Sequence, residues 1–168
     1  MKRPRFKDSA VSGEIDELVR RSDHRTLALW AADCAERVLP LFEARFPNDG
    51  RPRKAIDDLR EFARTGKFSM SAVRTASLGA HAAAREAEED SPARFAARAA
   101  GQAVATAHVP SHAPGAGWYA AKALWASDPE HADELVASER EWQLRRLLEL
   151  TRTVEPSDKE GKGRLFRT

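Results

Sequence analysis

The chain has 168 residues, 42% hydrophobic and 32% charged, with 28 basic and 26 acidic side chains and a formal net charge of +2. That is enough chain to bury one core without disulfides or metals, leaves little room for a second domain, and argues against the disordered and membrane-embedded classes. The near balance of charge does not imply a nucleic-acid binder, the single cysteine rules out an internal disulfide, and no apolar stretch has the length of a membrane span or follows the basic start as a signal-peptide core would, so a cytoplasmic location is expected.

Alanine dominates the apolar residues, leucine comes next, and Ile15 and Ile56 are the only isoleucines, a composition that favours helices over strands. No run alternates β-branched and polar residues over a strand's length. We therefore expect an all-α fold: a single-domain bundle of about six or seven helices with a kinked first long helix and a long C-terminal helix. Residues 1–11 are expected to be a flexible basic N-terminus, 12–154 the helical domain and 155–168 a flexible C-terminal tail, because Lys2, Arg3, Arg5 and Lys7, and again Lys159, Lys162, Arg164 and Arg167, place charge at the ends.

In chain order, Ser12 is placed to cap a short helix carrying Ile15, Leu18 and Val19. Asp23 caps a longer one running to Phe46, with Leu27, Trp30, Ala31, Cys34, Val38 and Phe42 on its buried side. Pro40, which has no N–H to donate, predicts a kink or break near Leu39. After the turn Pro47-Asn48-Asp49-Gly50, Pro52 opens a third helix with Ala55, Ile56, Leu59 and Phe62 or Ala63 inward and Gly66 as its stop. The fourth spans Ser69 to about Glu89, one face alanine-rich from Val73 to Ala87, the other carrying Arg74, Leu78, His81 and Arg85. Ser91 and Pro92 begin the fifth, with Phe95, Ala99, Ala103 and Thr106 along one side, and Gly101 marks a close crossing with a neighbour. Pro110, Pro114, Gly115 and Gly117 read as a loop before a short helix holding Trp118, Tyr119, Leu124 and Trp125. Asp128-Pro129 opens a last helix carrying Val136, Trp142, Leu147 and Leu150 to about Val154.

Recognisable catalytic patterns are missing: no Gly-rich phosphate loop after a strand, no Gly-x-Ser-x-Gly, and no carboxylate pair set among apolar residues for acid–base work. This favours binding over catalysis. His108 and His112 have the spacing of zinc ligands on a helix, but Pro110 between them spoils the shared face, so a loop-anchoring role is preferred and no metal or cofactor is expected. Cys34 lies on an apolar stripe and reads as an inert thiol rather than a nucleophile. His81 and Arg85 share a face with Arg74, and Arg94 and Arg98 stand one turn apart on the next helix. If these face the interior of the helix pair they need carboxylates, for which Asp33, Glu36 and Glu43 are the natural candidates. The result is a structural ion-pair network, the preferred reading, or an anion site, and Arg37, Arg51 and Arg53 extend the same question to the surface. The acidic run Glu86, Glu88, Glu89, Asp90 fits solvated helix ends, with a docking surface for a basic partner as the alternative.

Taken together, Asp33-Cys34-Ala35-Glu36-Arg37-Val38-Leu39-Pro40, Arg51-Pro52-Arg53-Lys54-Ala55, Ala80-His81-Ala82-Ala83-Ala84-Arg85 and Ala99-Ala100-Gly101-Gln102-Ala103 through Thr106-Ala107-His108-Val109 resemble the immunity proteins of bacterial polymorphic-toxin systems. The likeness is to the all-helical group related to immunity family five and runs from about Asp23 to Leu124. It implies stoichiometric inhibition of a cognate protein toxin. Arg37, Arg53, His81, Arg85, Arg98 and His108 match the pattern, as toxin contacts or as structural residues; with Asp33 and Glu36 they form the candidate interaction or structural polar network. The strongly acidic face that inhibitors of nucleases often present is not expected from this near-neutral chain. A second reading is a small helical nucleic-acid- or phosphate-binding accessory protein using Arg37, Arg53, His81, Arg85 and Arg98 as donors. Exposure of Trp118, Tyr119, Trp125 or Trp142 would mark an interface, with a toxin or with a second copy in a homodimer.

Overall fold

The computed structural model describes residues 5–153; residues 1–4 and the tail expected over 155–168 lie outside the described residues. The elements are α1 (Ser12–Arg21), α2 (His24–Glu43), α3 (Arg51–Thr65), α4 (Met70–Glu86), α5 (Pro92–Ala105), a 3-10 turn (Pro110–His112), α6 (Ala113–Ser127) and α7 (Ala132–Thr153). Among the described residues there is no strand, and the chain is a single all-α domain. No helix among them is long and apolar enough to cross a membrane.

The helix ends follow from local chemistry. The side chains of Asp23, Ser69 and Ser91 accept the backbone N–H of Thr26 (2.7 Å), Ala72 (3.3 Å) and Arg94 (3.2 Å), each satisfying a donor that has no partner within its helix. Gly66, in the left-handed region at φ 70°, closes α3 by donating its N–H to the Phe62 carbonyl at 2.7 Å. α5 packs against α2, α3, α4 and α6, and α2 also touches α3, α6 and α7. Ala93, Ala96, Ala97, Ala99, Ala100 and Ala103 of α5 are all buried, and these short side chains let the helices lie close. Trp30, Phe42, Ile56, Leu59 and Leu147 fill the larger spaces.

Several boundaries differ from expectation. Ser12 is the first helical residue of α1 rather than its cap, and its hydroxyl donates to the Ser9 carbonyl at 2.8 Å. α2 is not broken at Leu39: it continues through Pro40 to Glu43, and the Ala44 N–H still reaches the Pro40 carbonyl at 2.9 Å. Pro40 lies on the exposed side of the helix, away from its packed face. α4 ends at Glu86, and α7 begins only at Ala132. The loop expected through Gly117 is instead the first turns of α6. At Gly117 an added Cβ would stand 2.9 Å from Gln143 Oε1 and 3.1 Å from Trp30 Cη2, so this glycine serves close packing rather than a turn. The N-terminal segment, from residue 5 on, lies against the body. Phe6 meets Trp118 and Trp125 edge-on at 5.6 and 6.0 Å, and Asp8 accepts two hydrogen bonds from Arg140.

Candidate functional site

The sequence-derived candidates fall into two separate regions. The first is the polar edge of α2, which α3 and α7 meet. Asp33 accepts Arg60 at 3.0 Å and Arg146 at 2.7 Å; Glu36 accepts Arg53 at 3.1 Å and is also paired with Arg60; Glu43 accepts Arg53 at 2.9 Å. Arg37 donates to Glu139 at 3.0 Å while its guanidinium lies 3.9 Å over the Trp142 ring. The carboxylates expected to serve His81, Arg85, Arg94 and Arg98 are therefore committed elsewhere, because the outer edge of α2 faces α3 and α7 rather than α4 or α5.

Under this edge α7 buries polar residues. Glu139 is 1% exposed, Arg140 4% and Gln143 0%. Gln143 Nε2 donates to the Gly117 carbonyl (3.0 Å) and to Glu139 Oε1 (3.1 Å), its Oε1 accepts from Arg140 (2.8 Å), and its backbone carbonyl accepts the Trp30 indole N–H (2.9 Å). Burial pushes the Glu139 carboxyl above its ordinary value, against the attraction of Arg37 and the bond from Gln143. Burial, then the charges of Glu139 and Asp33, push the Cys34 thiol well up, which keeps it protonated and unsuited to nucleophilic attack. For Asp8, burial works upward but the nearby Ser12 hydroxyl, the Arg140 guanidinium and the Ser9 N–H outweigh it and hold the carboxyl below its ordinary value.

The second region is the seam between α4 and α5 with the turn after α5. Here the structure brings together His81, Arg85 and Arg98, while His108 lies farther along the same side, 6.2 Å from the Phe68 ring. The His81 imidazole lies directly on the α5 backbone. A Cβ at Gly101 would stand 2.7 to 2.9 Å from its ring atoms, so glycine is what permits this crossing. The Ser77 hydroxyl donates to the Gly101 carbonyl at 3.1 Å, and His112 bonds Gln102 Oε1 at 3.0 Å. Burial, then the charges of Arg98, Arg85 and His112, push His81 below its ordinary value and keep it neutral at neutral pH. Among the described residues, no carboxylate lies within 4.0 Å of Arg74, Arg85 or Arg98.

This side also leaves apolar side chains in water. Phe68, Met70 and Leu78 are 44%, 43% and 59% exposed. A shallow groove of about 230 Å³ runs between Met70 and Leu78, lined also by Val73, Ala105, Arg74, His108 and His112. No group of three or more His, Cys, Asp or Glu among the described residues could hold a metal ion. Of the aromatic residues considered as interface markers, Trp125 is buried, Tyr119 and Trp142 are half-buried, and exposed Trp118 contacts Phe6, with the Lys122 ammonium 4.6 Å from its ring centre.

Reasoning from sequence missed Arg60, Arg146, Arg140, Glu139 and Gln143. The last three were within reach: they occupy the same helical stripe as Val136, Leu147 and Leu150, but a search for apolar periodicity passes over polar residues on a buried stripe. Phe68 and Met70 precede or start α4, so no helical pattern marked them.

The chain belongs to the family described as Imm-5 like putative immunity protein, whose model matches residues 17–150. That span takes in both charged regions and nearly all of α7, beyond the Asp23 to Leu124 stretch that carried the resemblance. No curated protein and no solved structure matches the chain significantly.

Proposed function

We propose that this chain is an immunity protein that binds a cognate protein toxin one to one and blocks it. The family supports a toxin as the kind of partner. The observation that carries the reading is the α4–α5 side, where exposed Phe68, Met70 and Leu78 adjoin Arg74, Arg85 and Arg98, none with a carboxylate neighbour among the described residues. Apolar side chains clustered in water beside unmatched charge are what a partner surface covers, with arginine and aromatic side chains as frequent anchors.

Binding suits this region better than catalysis. Among the described residues His81 has no hydroxyl, thiol or carboxylate partner with which to form a proton relay. The nucleic-acid reading loses two of its donors, since Arg37 and Arg53 are engaged by Glu139, Glu36 and Glu43.

Co-expression with the toxin domain encoded beside this gene tests the proposal. Restored growth of a susceptible host and a one-to-one complex on size-exclusion chromatography are expected. Growth arrest despite excess chain, with no complex formed by any toxin of that neighbourhood, would overturn it.

A further inference from the structure

We infer that the partner meets the α4–α5 face with an acidic rim around an apolar centre: carboxylates against Arg85 and Arg98, and an apolar side chain in the groove over Val73 and Ala105. The inference rests on the toxin-binding reading and adds to it the place and chemistry of contact.

The net charge of +2 conceals a segregation. From Phe62 to Arg85, and again from Ser91 to Ser127, the sequence has no Asp or Glu, yet these stretches carry Lys67, Arg74, Arg85, Arg94, Arg98 and Lys122, besides Arg64, which pairs with Glu61. Away from the acidic turn Glu86 to Asp90 that joins the two helices, the seam is thus locally cationic, whereas the arginines of the α2 edge are matched by carboxylates within the molecule. Arg98 is half-buried, and a partly desolvated guanidinium gains more from an arriving carboxylate than a fully solvated one. It also lies near enough to His81, as does Arg85 from the other helix, for both charges to act on that imidazole.

Other occupants fit less well. A second copy applying this same face would set arginine against arginine across a two-fold axis. A nucleic-acid backbone seeks a continuous cationic track, but here Leu78, more than half exposed, interrupts the cations. The sign of the face also bears on how inhibition works. An inhibitor imitating nucleic acid in a toxin's basic cleft would need an acidic surface, so contact through this face takes place on an acidic part of the toxin instead.

The test uses the full chain and the purified, catalytically inactivated toxin domain encoded beside it. Calorimetry compares the wild type with Arg85→Glu/Arg98→Glu, with Arg85→Gln/Arg98→Gln, with Leu78→Asp, and with the control Arg20→Glu on exposed α1. A 20-nucleotide single strand serves as the competing probe. The double reversal is expected to weaken toxin binding about 100-fold and the glutamine pair about tenfold, with the control within about twofold. Leu78→Asp is expected to lower affinity about tenfold. Replacing the opposing toxin carboxylates by arginine should restore binding to the double reversal. Undiminished affinity of a well-folded double reversal, while the wild type still protects cells, would overturn this surface and leave the toxin reading standing. Failure of the wild type to bind or protect would remove both. Displacement of the toxin by the oligonucleotide, abolished in the glutamine pair, would reassign the face to nucleic acid and overturn the inference.

Discussion

The α2 edge and the α4–α5 seam both bring arginines from different helices to one side of the molecule, and they are built in opposite ways. On the α2 edge each guanidinium meets a carboxylate from another helix: Arg53 with Glu36 and Glu43, Arg60 with Asp33, Arg37 with Glu139. On the seam Arg85 and Arg98 have none within 4.0 Å among the described residues, and the neutral imidazole of His81 lies against Gly101. One set of charges ties helices together; the other, with Arg85 exposed and Arg98 half-buried over the Tyr119 ring, is the set we propose a partner meets. Residue type and spacing do not separate these roles. The location of the carboxylates does.

The sharpest way to break this comparison is to measure what each region contributes to stability. Arg140→Ala leaves Gln143 Oε1 without its donor and takes two hydrogen bonds and the paired charge from Asp8, at a site only 4% exposed, and should cost about 3 kcal/mol in urea unfolding. Arg85→Ala and Arg98→Ala should each stay within about 1 kcal/mol. Similar losses from Arg140→Ala and Arg98→Ala would mean that both regions are structural. A smaller loss, about 1–3 kcal/mol, is expected for Gly101→Ala, because the new methyl group displaces the His81 ring. Adding His81→Ala should return most of it, giving a clear coupling energy in a double-mutant cycle; a purely additive pair would place the imidazole elsewhere.

The pH dependence of Glu139 sharpens the same contrast. Its carboxyl is raised in the folded protein, so the folded state holds the proton more tightly than the unfolded one. The stabilisation is fully present below its ordinary value of 4.5 and is lost as pH rises through the raised folded value. Glu139→Gln keeps an acceptor for Arg37 and removes the titration. Relative to the wild type it should therefore gain stability as pH climbs from 4 toward neutral, as read from melting temperatures across that range. A constant difference between the two proteins would show that the carboxyl is not raised.

Much of the fold could be read from the sequence because its signals are local. Asp23, Ser69, Ser91 and Gly66 act where their chemistry places them. The start of α6 was misread because proline and glycine commonly signal loops, whereas Gly117 answers a tertiary demand from Trp30 and Gln143 that no local pattern encodes. The site divides along the same line. The crossing at Gly101 was legible, but the allocation of Asp33, Glu36 and Glu43 depends on which helices flank α2. Glu139, Arg140 and Gln143 were hidden because burial of polar groups is decided by partners far along the chain, Arg37, Asp8 and Gly117 among them.

The smallest expected effect links His81 to the partner. Facing it are Arg85 on its own helix, Arg98 on α5 and His112 at the turn, which with burial lower its value in the free protein. The stability tied to this group is present above its ordinary 6.5 and is lost as pH falls through the lowered folded value, and His81→Gln should flatten that decline. An acidic partner docked on Arg85 and Arg98 offsets their positive charge, so the imidazole accepts a proton more readily in the complex. Binding then takes up protons, and affinity for the toxin domain should rise about threefold from pH 7.5 to 6.0 in the wild type and stay level in His81→Gln. If both proteins bind with the same pH profile, the toxin's carboxylates do not approach this end of the seam, and the contact must lie nearer Met70 and His108.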